Sequence, residues 1–108
     1  MSPIRRGDVI WADMSPTVGR EQRGRRPYLV LSDERFHDRR QLVLAVPMTS
    51  RERPWPTRVR LDAESWAIAE QPTTLSIDRV QKVEPTGHDV TRVREVINYL
   101  TGGPLPTT

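Results

Sequence analysis

Before residue 89 the apolar residues of this chain occur only in short runs, each closed by proline, glycine or charge, so its core must be built from short strands. Asp8-Val9-Ile10-Trp11-Ala12-Asp13 is the first such run, set between Gly7 and the pair Ser15-Pro16. Tyr28-Leu29-Val30-Leu31-Ser32 and Leu42-Val43-Leu44-Ala45-Val46 are apolar without alternation, the pattern of strands covered on both faces. Pro47 cannot donate to a ladder, which places Met48-Thr49-Ser50 at a strand end or a sheet edge. Thr57-Arg58-Val59-Arg60-Leu61 alternates, with Val59 and Leu61 facing inward and Arg58 and Arg60 outward. Thr73-Thr74-Leu75-Ser76-Ile77 is a further strand, and residues 78–83 make a tight turn into a short last strand that Pro85 ends.

The segments between these runs are polar. Residues 14–26 form a long connection with Pro16, Gly19 and Gly24, a length at which loops are often functional. Residues 33–41 read as a charged connection, and residues 62–71 as a helical turn anchored by Trp66 and Ile68. In residues 89–101, Val90, Val93, Val96, Ile97 and Leu100 recur at helical spacing. His88 or Asp89 opens that helix and Gly102-Gly103-Pro104 stops it. The fold class is therefore mainly β with a C-terminal helix, the short strands curled into a small barrel or sheet. At 108 residues the chain fits a single domain, 1–108, with a modest core. An exposed sheet edge or an apolar helix face on so small a domain favours a homodimer.

Composition narrows the setting. Ten prolines and 35% hydrophobic residues imply a loop-rich domain. The absence of cysteine excludes a disulfide framework and a thiolate metal site, and suits a reducing compartment. No apolar run approaches the ~20 residues of a membrane span, and none follows the N-terminus as a secretory signal would. A cytoplasmic location without membrane attachment is expected. Residues 1–60 carry 13 Arg and 7 Asp or Glu, whereas residues 61–108 carry 3 Arg, 1 Lys and 7 Asp or Glu. Such segregation implies a basic face and a polyanionic partner.

The densest basic stretch is Glu21-Gln22-Arg23-Gly24-Arg25-Arg26-Pro27, which leads directly into the apolar run from Tyr28. A cationic loop anchored to a buried strand can hold guanidinium groups toward phosphate, which Arg engages through paired donors. No phosphate loop, dinucleotide fingerprint, zinc-protease helix or nucleophile elbow occurs. His37 and His88 are isolated, so neither a metal site nor a cofactor is expected. What remains is Arg, Glu and Thr, and these suit one reaction class. RNA cleaves itself when a 2′-hydroxyl attacks the adjacent phosphorus; a protein need only align the groups, stabilise the added charge and manage two protons. Arg answers the charge but is a poor base, its pKa exceeding ~12. Glu21 is the natural base by pKa, or else an ion partner that orients Arg26.

Three stretches together resemble a known family. Arg6-Gly7-Asp8-Val9-Ile10-Trp11-Ala12-Asp13, then Pro16-Thr17-Val18-Gly19-Arg20-Glu21-Gln22-Arg23-Gly24-Arg25-Arg26-Pro27, then Tyr28-Leu29-Val30-Leu31-Ser32, is similar to the N-terminal signature of the MazF/PemK toxins of type II toxin–antitoxin systems. Val46-Pro47-Met48-Thr49-Ser50 and Leu75-Ser76-Ile77-Asp78-Arg79-Val80 resemble that family's second and third motifs. The resemblance implies an SH3-like barrel (the MazF/CcdB-type fold) with a C-terminal helix, acting as a homodimer. It implies a metal-independent endoribonuclease, an mRNA interferase, that cuts single-stranded RNA to 2′,3′-cyclic phosphate and 5′-hydroxyl ends. Its partner would be a cognate, MazE-like antitoxin whose acidic C-terminal tail lies across the basic groove.

By motif position the resemblance makes Arg26 and Thr49 catalytic, with Glu21 in the same loop. Arg20, Gln22, Arg23 and Arg25 would hold RNA there, and Asp78 and Arg79 would contact bases. Arg79 stands where relatives often carry Gln, so a borrowed base preference does not transfer. Ser50, Arg51 and Arg53 extend the basic surface, and Trp55 either stacks on a base or packs on the barrel. Thr49 read without the family is a strand-end cap. Trp11 and Trp66 read as core or dimer contacts. Two rival functions share these features: a gyrase poison of the CcdB class, and a non-catalytic RNA-binding barrel.

Overall fold

The computed structural model describes residues 3–14 and 25–106. Its strands are β1 (Val9–Asp13), β2 (Arg25–Val30), β3 (Leu42–Thr49), β4 (Arg58–Arg60), β5 (Trp66–Ile68), β6 (Thr73–Ser76) and β7 (Val80–Glu84). Helix α1 (Glu34–Arg40) lies between β2 and β3, and α2 (Thr91–Leu100) follows β7. All strand pairs are antiparallel: β7 pairs β1, β1 pairs β2, β2 pairs β3 and β3 pairs β6. A single 3-10 turn, Ile77–Arg79, joins β6 to β7, so the five strands curl back on themselves. This is the mainly β architecture with a C-terminal helix expected from the sequence.

Strand β3 changes its neighbour part-way. Leu42 to Ala45 pair with β6, whereas Met48 and Thr49 pair with β5 of the β4–β5 hairpin. Pro47 falls between these two ladders, at the point where the edge changes hands, so the strand continues through it instead of ending. Leu29, Leu31, Val46 and Met48 pack with Val59, Ala67, Val93 and Val96 on one side of the sheet. Ile10, Tyr28, Val30, Val43, Ala45 and Leu75 fill the barrel on the other. Both faces of β2 are therefore buried, which is why Tyr28 to Leu31 do not alternate.

Two expectations are corrected. Residues 33–41 are not a plain connection, for they hold α1. Asp33 caps it by accepting the Arg35 N–H at 2.8 Å, Glu34 sits in the first turn, and Arg39 and Arg40 in the last. Gln41 ends it in the left-handed region at φ 56°. Only His37 of this helix is buried, so no apolar stripe announced it. Residues 62–71 hold no helical turn but the second strand of a hairpin. Asp62 shapes its turn, accepting the Glu64 N–H at 2.9 Å and the Ser65 hydroxyl at 2.7 Å. At the other helix, Val90 is the N-cap residue and the Asp89 carboxylate accepts the Thr91 N–H at 2.9 Å. Gly103 closes α2 by donating to the Asn98 carbonyl at 2.8 Å. Among the described residues no helix is long and apolar enough to cross a membrane.

Gly7 ties the start of the chain to the segment before α2. Its carbonyl accepts the His88 N–H at 2.8 Å and the Thr86 hydroxyl at 2.8 Å. Its φ is +93°, and a Cβ there would lie 2.4 Å from the His88 carbonyl oxygen. Gly7→Ala is expected to lower stability by about 2 kcal/mol or more, read as a lower urea midpoint with an unchanged slope.

Candidate functional site

The candidate site forms where β1 ends and β2 begins. Arg20, Glu21, Gln22 and Arg23, expected to line it, lie outside the described residues. Arg25 and Arg26 were expected in a loop, but both are exposed residues of β2, opposite Asp13 and Ala12 of β1. The ladder to β1 extends the strand back past Pro27, because Pro27 faces Trp11 there and the tail of β1 still offers partners.

The register of β2 and β3 brings the two key positions together. Tyr28 pairs with Pro47. The β2–β3 ladder ends at the Tyr28–Pro47 pair, and Arg26 and Thr49 lie two residues beyond it at the same end of the two strands. Thr49 is half-buried and pairs onward with Trp66 of β5. Its Oγ1 accepts the Arg51 N–H at 3.1 Å, so it does cap the strand end. That bond uses a lone pair and leaves the hydroxyl proton available to a ligand.

The other expected residues surround this pair unevenly. Arg79 donates through Nη1 to the Asp13 carbonyl at 3.0 Å, which brings the 3-10 turn and the exposed Asp78 to the same end of β1. The Arg25 guanidinium lies 5.6 Å from the Trp11 ring centroid. Trp11 packs against the hydrophobic core, as expected, and its buried Nε1 has no hydrogen-bond partner among the described residues. Ser50 and Arg51 are exposed just beyond β3. Arg53 turns back on its own loop, donating to the Glu52 carbonyl at 3.0 Å. Trp55 is 50% exposed, and Arg58 lies over it at 5.3 Å while donating to the Arg51 carbonyl at 2.6 Å.

An open groove of ≈ 610 Å³ runs past Trp11, Pro27, Thr49 and Ser50. Its far wall was not expected from sequence: Asp62, Glu64, Glu84 and His88. His88 Nε2 lies 4.0 Å from Asp62 Oδ2. The Ser65 hydroxyl, the Glu64 N–H and the nearby His88 all hold the Asp62 carboxyl below its ordinary range, the hydroxyl most strongly. The legible signal was the Asp62-to-Ser65 spacing, which suits a side-chain-closed turn; it was read as helical. Among the described residues no group of three or more His, Cys, Asp or Glu could hold a metal ion. The groove is lined by carboxylates, hydroxyls and the Trp11 ring, with the Arg25 guanidinium beside that ring, a surface that suits a ligand with phosphates and planar, amine-bearing bases.

The family model for the PemK-like, MazF-like toxin of type II toxin–antitoxin systems matches residues 5–100. The endoribonuclease toxin MazF of Escherichia coli (strain K12) is 36% identical over 73 residues, a match spanning 65% of this chain and 66% of that relative. Endoribonuclease EndoA of Bacillus subtilis (strain 168) is 32% identical over 84 residues, spanning 75% of this chain and 71% of the relative. Among solved structures, a MazE–MazF crystal structure from Deinococcus radiodurans superposes with a TM-score of 0.81 at 27% identity, over 96% of this chain and 100% of that one.

Because the Ser65 hydroxyl is the first cause of the lowered Asp62 pKa, Ser65→Ala should raise it, as seen by carboxyl-carbon NMR titration. Stability from a carboxyl depressed on folding is present above its unfolded pKa and lost as pH falls through the folded one. Ser65→Ala should therefore lack part of the parent's stability above the unfolded pKa, lose less as pH falls, and complete that loss at a higher pH than the parent.

Proposed function

The chain belongs to the PemK-like, MazF-like toxins of type II toxin–antitoxin systems, and on that premise we propose that it is an endoribonuclease held inactive by a cognate antitoxin. Its substrate is single-stranded RNA cut at short sequences, and the cleavage needs no metal. The observation that supports the reading is that Arg26 and Thr49 lie at the same end of the paired strands β2 and β3, just beyond the Tyr28–Pro47 pair, with Thr49 lining an open groove. The 2′-oxygen bonds to the adjacent phosphorus as the bond from phosphorus to the 5′-oxygen breaks. The 5′-oxygen takes a proton from water, and the 2′-hydroxyl gives one up to Glu21 or to water, so the products are a 2′,3′-cyclic phosphate and a 5′-hydroxyl. The Arg26 guanidinium offers paired N–H donors to the non-bridging oxygens as charge builds there. The Thr49 hydroxyl donates its remaining proton to the same phosphate. Glu21 takes the 2′-hydroxyl proton or orients Arg26, an assignment that rests on its motif position alone.

The antitoxin binds through an acidic segment laid along Arg25, Arg26, Arg51 and Arg79, competing with RNA for the same guanidinium groups. Ser50 and Arg51 beyond Thr49, and Asp78 and Arg79 at the end of β1, contact the flanking nucleotides, with Trp55 offering an exposed ring for stacking. Arg20, Gln22, Arg23 and Arg53 hold the backbone. The active form is a homodimer acting in the cytoplasm. The E. coli and B. subtilis relatives are named endoribonucleases, and the D. radiodurans structure pairs MazF with MazE, which supports the reading.

Purified protein incubated with long single-stranded RNA in EDTA should give discrete cuts with cyclic-phosphate ends. Intact RNA at high enzyme concentration would overturn the proposal in favour of a non-catalytic RNA-binding barrel. Arg26→Ala should keep the fold and lower the cleavage rate by about 10²–10³, the scale of losing one charge-stabilising donor. Thr49→Val should also lose rate, and parental cutting by it would return Thr49 to a purely structural cap.

A further inference from the structure

A cross-strand row starts at Thr49. Thr49 pairs with Trp66, and Trp66 pairs with Arg60 of β4. Directly opposed residues share a face, so Thr49, Trp66 and Arg60 form one line across three strands. Strand spacing puts Trp66 about 5 Å and Arg60 about 10 Å from the Thr49 position. Trp66 was expected as a core or dimer contact, yet it belongs to neither core cluster: its neighbour Ala67 takes the inward position. Arg60 is exposed, and its guanidinium lies 5.6 Å from the Trp66 ring centroid.

Arg60 is also held along one edge. Its Nε donates to the Asp62 carbonyl at 3.0 Å and its Nη2 to the Ala63 carbonyl at 3.4 Å. Those carbonyls belong to the turn that Asp62 closes with Ser65 and Glu64, so the clamp is itself fixed. A guanidinium backed by an indole and gripped along one edge has lost most of its rotational freedom before any ligand arrives. What it presents outward is a flat cationic face. Arg planes stack on nucleobases, and stacking accepts every base because every base has a π-face. The turn carbonyls take the Nε and Nη2 donors and leave Nη1, so a phosphate contact is the competing use of this side chain, one that a shallower salt slope on its loss would reveal.

We infer that Arg60, laid on Trp66 and clamped by the Asp62 and Ala63 carbonyls, is a stacking platform for a nucleobase flanking the scissile phosphate. The inference rests on the RNA-cleaving reading above. Arg60 is a binding residue in it and takes no part in the bond changes. The platform lies beyond Thr49 as seen from Arg26, so it serves a nucleotide on one side of the cut only.

The test uses the full chain and an oligoribonucleotide bearing a mapped cut sequence, made uncleavable by a 2′-deoxy sugar at the attacking position. An abasic site is placed in turn at each flanking position, and dissociation constants are measured for the parent, Arg60→Lys and Trp66→Phe. The parent should bind about 5- to 100-fold more weakly when one particular flanking base is missing. Arg60→Lys keeps the charge but loses the plane. It should bind the intact oligonucleotide more weakly, show little further loss at that abasic position, and keep the parental salt slope. Trp66→Phe, which retains a ring under the guanidinium, should keep most of the abasic effect. Equal abasic sensitivity in the parent and Arg60→Lys overturns the inference. So does a loss spread evenly over all positions with a shallower salt slope, the mark of a phosphate contact. If the parent leaves cleavable RNA uncut, the nuclease reading itself fails. If it cuts RNA without any Arg60 coupling, only the platform is lost.

Discussion

The site depends on one strand serving three partners. β3 lies against β2 along one edge, and against β6 and then β5 along the other. A strand of eight residues can do this only if its two ladders on the shared edge are separate. Pro47 stands at that separation, where the edge passes from one partner to the next. Past it, Met48 still points into the core while Thr49 emerges at the rim. Thr49 thereby joins Arg26 on one side and the β4–β5 hairpin on the other. The buried pairs Leu29–Val46 and Ala67–Met48 hold that register, because a slip of one residue would turn apolar side chains to water.

The electrostatics of the groove are two-sided rather than uniformly basic. Asp62, Glu64 and Glu84 line it together with Trp11 and Thr49, while the Arg25 guanidinium lies beside the Trp11 ring. A phosphate chain is drawn to the guanidinium and repelled by the carboxylates, so it cannot slide freely across the groove. The carboxylates can accept from the amino groups of bases, so polarity across the groove favours backbone on one side and base edges on the other. An acidic antitoxin segment would meet the same asymmetry and keep to the guanidinium side. Net charge alone, at +3, conveys none of this.

Much of the architecture was legible because it follows from burial. Tyr28 to Leu31 read as doubly covered, and they are; Val93 and Val96 marked the face of α2. Helix α1 was not legible, since its only buried side chain is His37, bonded to the Ser32 hydroxyl at 2.6 Å and the Ile4 carbonyl at 2.9 Å. Its helicity comes from the Asp33 cap and from packing on the sheet, not from a periodic stripe. The Asp33 carboxyl is lowered to about 2 chiefly by its side-chain bond to Arg35, a local contact that a reading for hydrophobic period passes over. Residues 62–71 read as a helical turn on Trp66 and Ile68 because the strand there is only three residues long; Ile68 and Ala67 are both buried in it and Trp66 is half-buried. Arg26 and Thr49 stand out by motif position alone, since neither burial nor periodicity marks them.

The three tryptophans show how context separates equal chemistry. Each carries an arginine at 5.3–5.6 Å from its ring, so the pairing by itself distinguishes nothing. Trp11 packs on the core, and Arg25 covers what remains of it. Trp55 sits on a loop between prolines, and its Arg58 is drawn toward the Arg51 carbonyl, with a buried Nε left unpaired. Only Trp66 shares the row of Thr49, and only Arg60 is held by two carbonyls of a turn that is itself closed by side-chain bonds. Rigidity and position therefore coincide at one of the three. A platform that is fixed before binding loses less entropy when a base arrives than one that must be assembled. That difference, more than the number of arginines along the rim, is what would let a small basic barrel favour one nucleotide step over the next.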